Sequence, residues 1–85
     1  MCRTIHDIYP ITELFTKPDC VQCDATKRKL NEYRIPYVTH DVTKDDNARE
    51  RVLALGYLSA PVVIAPDGTS WSGLHLGKIR ALRDD

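Results

Sequence analysis

Two cysteines three residues apart, Cys20 and Cys23, stand where a β-branched run gives way to a helix-forming one, and that junction leaves few architectures open. Ile11 to Thr16 has the composition of a strand, and Pro18-Asp19 breaks it just before Cys20. From Val21 to about Tyr33 the chain turns to helix formers, among them Ala25, Lys27, Arg28, Lys29, Leu30 and Glu32. Pro36 should stop that helix by disfavouring the α conformation at Ile35.

Tyr37 to Val42 reads as a second strand. Thr43, followed three residues later by Asp46, resembles a capping box, and Ala48, Val52 and Leu55 recur at helical spacing until Gly56 ends the helix. Val62 to Ala65 is a continuous apolar run suited to a strand buried on both faces. Pro66-Asp67-Gly68 has the chemistry of a tight turn, which makes Thr69 to Ser72 the hairpin partner. Leu76, Ile79 and Leu82 then mark a short closing helix whose polar face carries Lys78, Arg80 and Arg83.

The order is strand, helix, strand, helix, strand, strand, helix, an α/β pattern. Its first half is a βαβ unit with parallel strands and a right-handed crossover, and its second half adds an antiparallel hairpin. Residues 1–10 read as an N-terminal extension and residues 11–85 as one domain.

An 85-residue chain has room for one modest core. Lys+Arg and Asp+Glu both number 12, and that balance argues against binding to nucleic acid or anionic membranes, which usually requires a basic excess. The longest apolar stretch runs only from Ala60 to Pro66, so neither a membrane span nor a signal peptide is expected. Three cysteines without an export signal point to the cytoplasm, where a C-x-x-C pair is redox-active or metal-binding more often than structural. Closing so short a loop stabilises by about 2 kcal/mol, less than a long-range bridge would.

A zinc site would need two further ligands. The candidates are Cys2, His6, His40 and His75, of which only Cys2 and His6 are close in sequence. A small zinc-binding interaction module therefore stands as one alternative, although no metal is the expectation.

For a dithiol the positions assign roles. A sulfur at the start of a helix meets unpaired N–H groups and the positive end of the macrodipole, so the Cys20 thiolate is stabilised. Lys17 adds to that effect and Asp19 opposes it. Cys23, one turn inside, should be more buried. Cys20 is then the attacking nucleophile and Cys23 the resolving thiol.

C-V-Q-C continued by D-A-T-K-R-K-L (Asp24 to Leu30), A-P-V-V-I-A (Ala60 to Ala65) and W-S-G (Trp71 to Gly73) together resemble NrdH-type redoxins, small glutaredoxin-like proteins of the thioredoxin fold. The resemblance runs from about residue 11 to residue 80. It implies a four-stranded mixed sheet flanked by three helices. It also implies a monomeric dithiol hydrogen donor for class Ib ribonucleotide reductase, reduced by NADPH-dependent thioredoxin reductase, with no cofactor beyond the redox-active disulfide. The family's redox cysteines carry over onto Cys20 and Cys23, and its cis proline onto Pro61. Only about one X-Pro bond in twenty is cis, so that expectation belongs to the resemblance. There the backbone of Ala60 would dock an extended substrate segment, and the proline ring would shield the sulfurs from metal. The chain leaves the family pattern after Gly73, where Leu74-His75-Leu76 replace F-R-P.

A glutathione-dependent glutaredoxin is the other alternative. That tripeptide needs acceptors for its amine, yet Gly73 has no neighbouring glycine and Leu74-His75-Leu76 offers no acid. Lys17, Asp19, Trp71, Ser72 and Gly73 are candidates for the surroundings of the dithiol, with Trp71 favoured as packing. Lys27, Arg28 and Lys29 read as a solvated face, and His40 and His75 as isolated imidazoles. Asp45, Asp46, Arg49, Glu50 and Arg51 read as ion pairs along a helix surface.

Overall fold

The computed structural model describes residues 11–82. Cys2, His6, the proposed extension and Arg83 lie outside the described residues.

Strand β1 (Thr12–Thr16) leads into helix α1 (Val21–Glu32), strand β2 (Tyr37–Asp41) and helix α2 (Asp46–Ala54). Strands β3 (Val62–Ile64) and β4 (Ser70–Ser72) and helix α3 (Leu76–Leu82) complete the chain. The sheet order is β2-β1-β3-β4, with β1 parallel to β2 and the other pairs antiparallel. The expected mixed four-stranded sheet with three helices is therefore present.

Alternation along β1 divides the interior into two layers. Leu14, opposite Val63 in the register, packs with Leu30, Ile35, Trp71 and Ile79 under α1 and α3. Phe15, opposite Val62, faces the other way and packs with Ala48 and Val52 of α2. Leu14, Phe15, Val62 and Val63 are all fully buried, each contributing about 1.5–3 kcal/mol. Thr26 is buried within α1, its hydroxyl donating to the Gln22 carbonyl at 2.8 Å.

Both longer helices end in the same way. At the end of α2, Gly56 has φ of 91° while its N–H donates to the Leu53 carbonyl and that of Tyr57 to Val52. At the end of α1 the corresponding left-handed residue is Arg34, with φ of 60°; its N–H donates to Asn31 and that of Ile35 to Leu30. These are Schellman motifs. Helix α1 therefore stops at Glu32, ahead of the influence expected of Pro36. The apolar contact between Ile35 and Leu30 in the core selects the stop, even though arginine is a poor left-handed residue.

The start of α2 also differs from expectation. Its cap is Asp45, whose carboxylate accepts the Ala48 N–H at 3.1 Å. Thr43 is held one step earlier, because Asp41 Oδ1 accepts both its N–H, at 2.9 Å, and its hydroxyl, at 2.6 Å. That local turn removes Thr43 from the capping position. Arg49 pairs with Asp46 at 3.5 Å along the helix, but Arg51 reaches across to Glu13 of β1 and lies over the Phe15 ring. His40 packs on Phe15 with ring centroids 4.9 Å apart, and its buried Nε2 lies 3.9 Å from Glu13.

A dithiol at the start of helix α1

Cys20 and Cys23 are joined as a disulfide with Cα atoms 5.2 Å apart, a separation such a bridge spans. Cys20 is the N-cap of α1: its backbone is extended, and its Sγ accepts the Cys23 N–H at 3.1 Å. One of the unpaired amides at the helix start is thus directed at the sulfur that would carry negative charge. Cys20 is 8% exposed and Cys23 1%, so Cys20 is the less buried residue of the pair. The chemistry available on reduction is a stabilised thiolate at Cys20 backed by a deeper thiol.

The turn that delivers Cys20 contains Lys17, Pro18 and Asp19, all exposed, with Asp19 in the left-handed region. Across from it lies the loop Ser59-Ala60-Pro61, in which the Ala60–Pro61 peptide is cis. Residues following the core of β4 hold this loop on both sides of Ala60. Ser72 Oγ donates to the Ser59 carbonyl at 3.3 Å, and the Gly73 N–H donates to the Pro61 carbonyl at 2.8 Å. Gly73 also faces the dithiol loop: a Cβ added there would lie 3.6 Å from Gln22 Oε1. The candidates Cys20, Cys23, Ala60, Pro61, Ser72 and Gly73 therefore converge from three segments.

Trp71 does not join them. It is buried in the layer under α3, where Lys78 lies over its ring at 5.9 Å, and its Nε1 has no hydrogen-bond partner. His75 is exposed, and His40 packs on Phe15 of β1. Among the described residues, no group of three His, Cys, Asp or Glu side chains is arranged to hold a metal ion. No described helix is long and apolar enough to cross a membrane.

Sequence reasoning overlooked a cavity of about 180 Å³ beside Ala60, lined among others by Lys17, Arg49, Leu53, Tyr57 and Leu58. Leu58 and Val21 are 88% and 83% exposed, the highest values among the large apolar residues described. Leu58, two residues before Ala60, and Val21, directly after Cys20, are thus large apolar side chains left in solvent. The convergence of Arg49 with Lys17 had no signal in the sequence, because they are neighbours only through the fold.

The family model described as Glutaredoxin matches residues 12–71. The glutaredoxin-like protein NrdH of Escherichia coli K12 is 39% identical over 69 residues, covering 81% of this chain and 84% of that protein. NrdH of Lactococcus lactis is 28% identical, covering 81% and 94%. Among solved structures, the NrdH-redoxin of Escherichia coli superimposes with a TM-score of 0.79 at 38% identity, covering 84% of this chain and 92% of that one.

Proposed function

This chain belongs to the glutaredoxin family, among its NrdH-like members, and on that premise we propose that it is a cytoplasmic, monomeric dithiol electron donor to class Ib ribonucleotide reductase, recharged by thioredoxin reductase. As a member of that family it is a thiol-disulfide oxidoreductase, and residues 11–85 are taken as its single domain.

The carrying observation is the Cys20 sulfur at the cap of α1, accepting the Cys23 N–H at 3.1 Å while already bonded to Cys23. In the forward reaction the Cys20 thiolate attacks one sulfur of a substrate disulfide. The substrate S–S bond breaks, a Cys20–substrate bond forms, and the other substrate sulfur leaves as a thiolate that takes a proton. Cys23, deprotonated, then attacks Cys20 Sγ, expelling the second substrate thiolate and closing the Cys20–Cys23 bond. Two electrons pass to the substrate. The backbone of Ala60, between the anchored carbonyls of Ser59 and Pro61, is the docking edge for the substrate segment.

Two features support a protein electron source over glutathione. The segment Leu74-His75-Leu76 is exposed and carries no acid to receive the tripeptide's amine. The exposed apolar side chains of Val21, directly after Cys20, and of Leu58, in the lining of the cavity beside Ala60, suit a protein surface better than a charged tripeptide. The similar Escherichia coli NrdH-redoxin is itself described as having a thioredoxin-like activity profile.

The test is a coupled NADPH oxidation assay with a ribonucleotide reductase or model disulfide as acceptor. Rapid turnover with thioredoxin reductase and little with glutathione plus its reductase is the expected result. The opposite ranking overturns the electron source and leaves a glutathione-dependent glutaredoxin.

A further inference from the structure

Asp19, immediately before Cys20, has φ of 54° and an exposed side chain. Among the described residues only one other non-glycine, Arg34, takes a positive φ, and hydrogen bonds at a helix end account for it. No helix ends at Asp19. Proline followed by a left-handed residue is the arrangement of a type II turn, whose third position favours glycine or asparagine. Lys17 to Cys20 carries Pro18 and Asp19 in those two places. Asparagine and glycine tolerate the left-handed backbone at least as well as aspartate. What aspartate alone adds is a carboxylate held one residue from the attacking sulfur.

We propose that Asp19 is a positioning residue for Cys20 whose carboxylate biases the Cys20–Cys23 couple toward giving up electrons. The inference rests on the dithiol reading above. Two electrons and two protons convert the disulfide to two thiols, or two electrons and one proton when Cys20 stays a thiolate. The N-terminus of α1 and the Cys23 N–H stabilise that thiolate, and stabilising the reduced form makes a dithiol protein an oxidant. A negative charge on the residue that precedes Cys20 works against this. It raises the energy of the thiolate, leaves the uncharged disulfide untouched, and so lowers the reduction potential.

The other charges near this turn are few. Lys17 on the same turn, and Arg49 of α2 in the cavity that Lys17 also lines, have the opposite sign, and Asp24 lies in the first turn of α1. Segment 71–74, which approaches the dithiol loop where Gly73 faces Gln22, and segment 57–62, hydrogen-bonded to it, carry no charged side chain. Asp19 is therefore the carboxylate closest in sequence to Cys20, and Pro18 before it limits how far the turn can move.

The experiment equilibrates the wild-type protein, Asp19→Asn, Asp19→Gly and Asp19→Glu with dithiothreitol redox buffers at neutral pH and low salt, and reads the reduced fraction by thiol alkylation. Asp19→Asn is expected to shift the equilibrium toward the dithiol by about threefold, or ~14 mV for a two-electron couple. Asp19→Gly should match it, and Asp19→Glu should stay at the wild-type value. In the reduced Asn variant, thiolate absorbance should appear at lower pH, and the difference from wild type should shrink at high salt. Equal constants for wild type and Asp19→Asn, or an equal shift in Asp19→Glu, overturn the role of the charge. A wild-type disulfide that never equilibrates with the buffer overturns the dithiol reading itself.

Discussion

The backbone N–H of Gly73 donates to the carbonyl of Pro61 at 2.8 Å, so the end of the β3–β4 hairpin holds the loop that faces the dithiol. Gly73 has φ of 87°, a conformation that costs an L-residue about 1–2 kcal/mol. Space is not the obstacle, since the nearest atom to an added Cβ is Gln22 Oε1 at 3.6 Å. Gly73→Ala is therefore expected to lower stability by about 1–2 kcal/mol in urea unfolding. It should also raise KM for a protein disulfide more than it lowers kcat, because a backbone that relaxes away from the left-handed conformation weakens the N–H bond to Pro61 while the cysteines stay in place. An unchanged KM would separate the Gly73 contact from substrate docking.

The two cysteines should respond differently to substitution. Cys23→Ser leaves the attacking thiol without its resolving partner and is expected to accumulate a mixed disulfide with substrate, visible by non-reducing electrophoresis. Cys20→Ser removes the nucleophile and should abolish turnover without trapping substrate. Full activity in Cys20→Ser would sink the assignment of roles.

Arg34 occupies a left-handed position that glycine fills without strain. Arg34→Gly relieves about 1–2 kcal/mol of backbone cost, partly offset by the greater freedom of glycine in the unfolded chain. The net expectation is a gain of about 0.5–1 kcal/mol. It would be read as a higher urea midpoint at unchanged slope.

Thr43 donates through both its hydroxyl and its N–H to Asp41, and these bonds, the hydroxyl's first, hold the Asp41 carboxyl below its ordinary value of 3.8. Thr69 does the same for Asp67 across the hairpin turn. A folded-state pKa below the unfolded one means that the folded chain binds fewer protons. The associated stability is fully present above the ordinary value of 3.8 and is lost as pH falls through the lowered one. Thr43→Val is expected to bring the Asp41 carboxyl back toward 3.8 and to flatten the fall in stability at acid pH. An NMR titration of Asp41 together with unfolding curves across that range checks both.

Much of the fold was legible because its signals are local. The β-branched run ahead of Cys20, the helix formers after it and Gly56 at the end of α2 act through the conformations of neighbouring residues. So does the turn at Pro66-Asp67-Gly68, which closes with the Gly68 N–H donating to Ala65 at 2.9 Å. The places where reading failed are those where a more distant group decided the outcome. Arg34 takes a left-handed conformation because Ile35 and Leu30 meet in the core. Thr43 loses the cap to Asp45 because the end of β2 already holds it. Arg51 pairs with Glu13, 38 residues away in sequence, because α2 lies over that face of the sheet.

The candidate site divides in the same way. The spacing of Cys20 and Cys23 at a strand-to-helix junction determined by itself that a dithiol would sit at a helix start, since 3.6 residues per turn and the unpaired N–H groups of a first turn follow from covalent geometry. Only the tertiary structure decided what surrounds that dithiol: the loop whose Ser59 and Pro61 carbonyls are held by Ser72 and Gly73, Gly73 against Gln22, and a cavity lined by both Lys17 and Arg49. Those contacts depend on which strand lies beside which and on how the loops at one end of the sheet come together. That arrangement is set by packing Leu14 and Val63 into one layer and Phe15 and Val62 into the other, and no short stretch of sequence contains it.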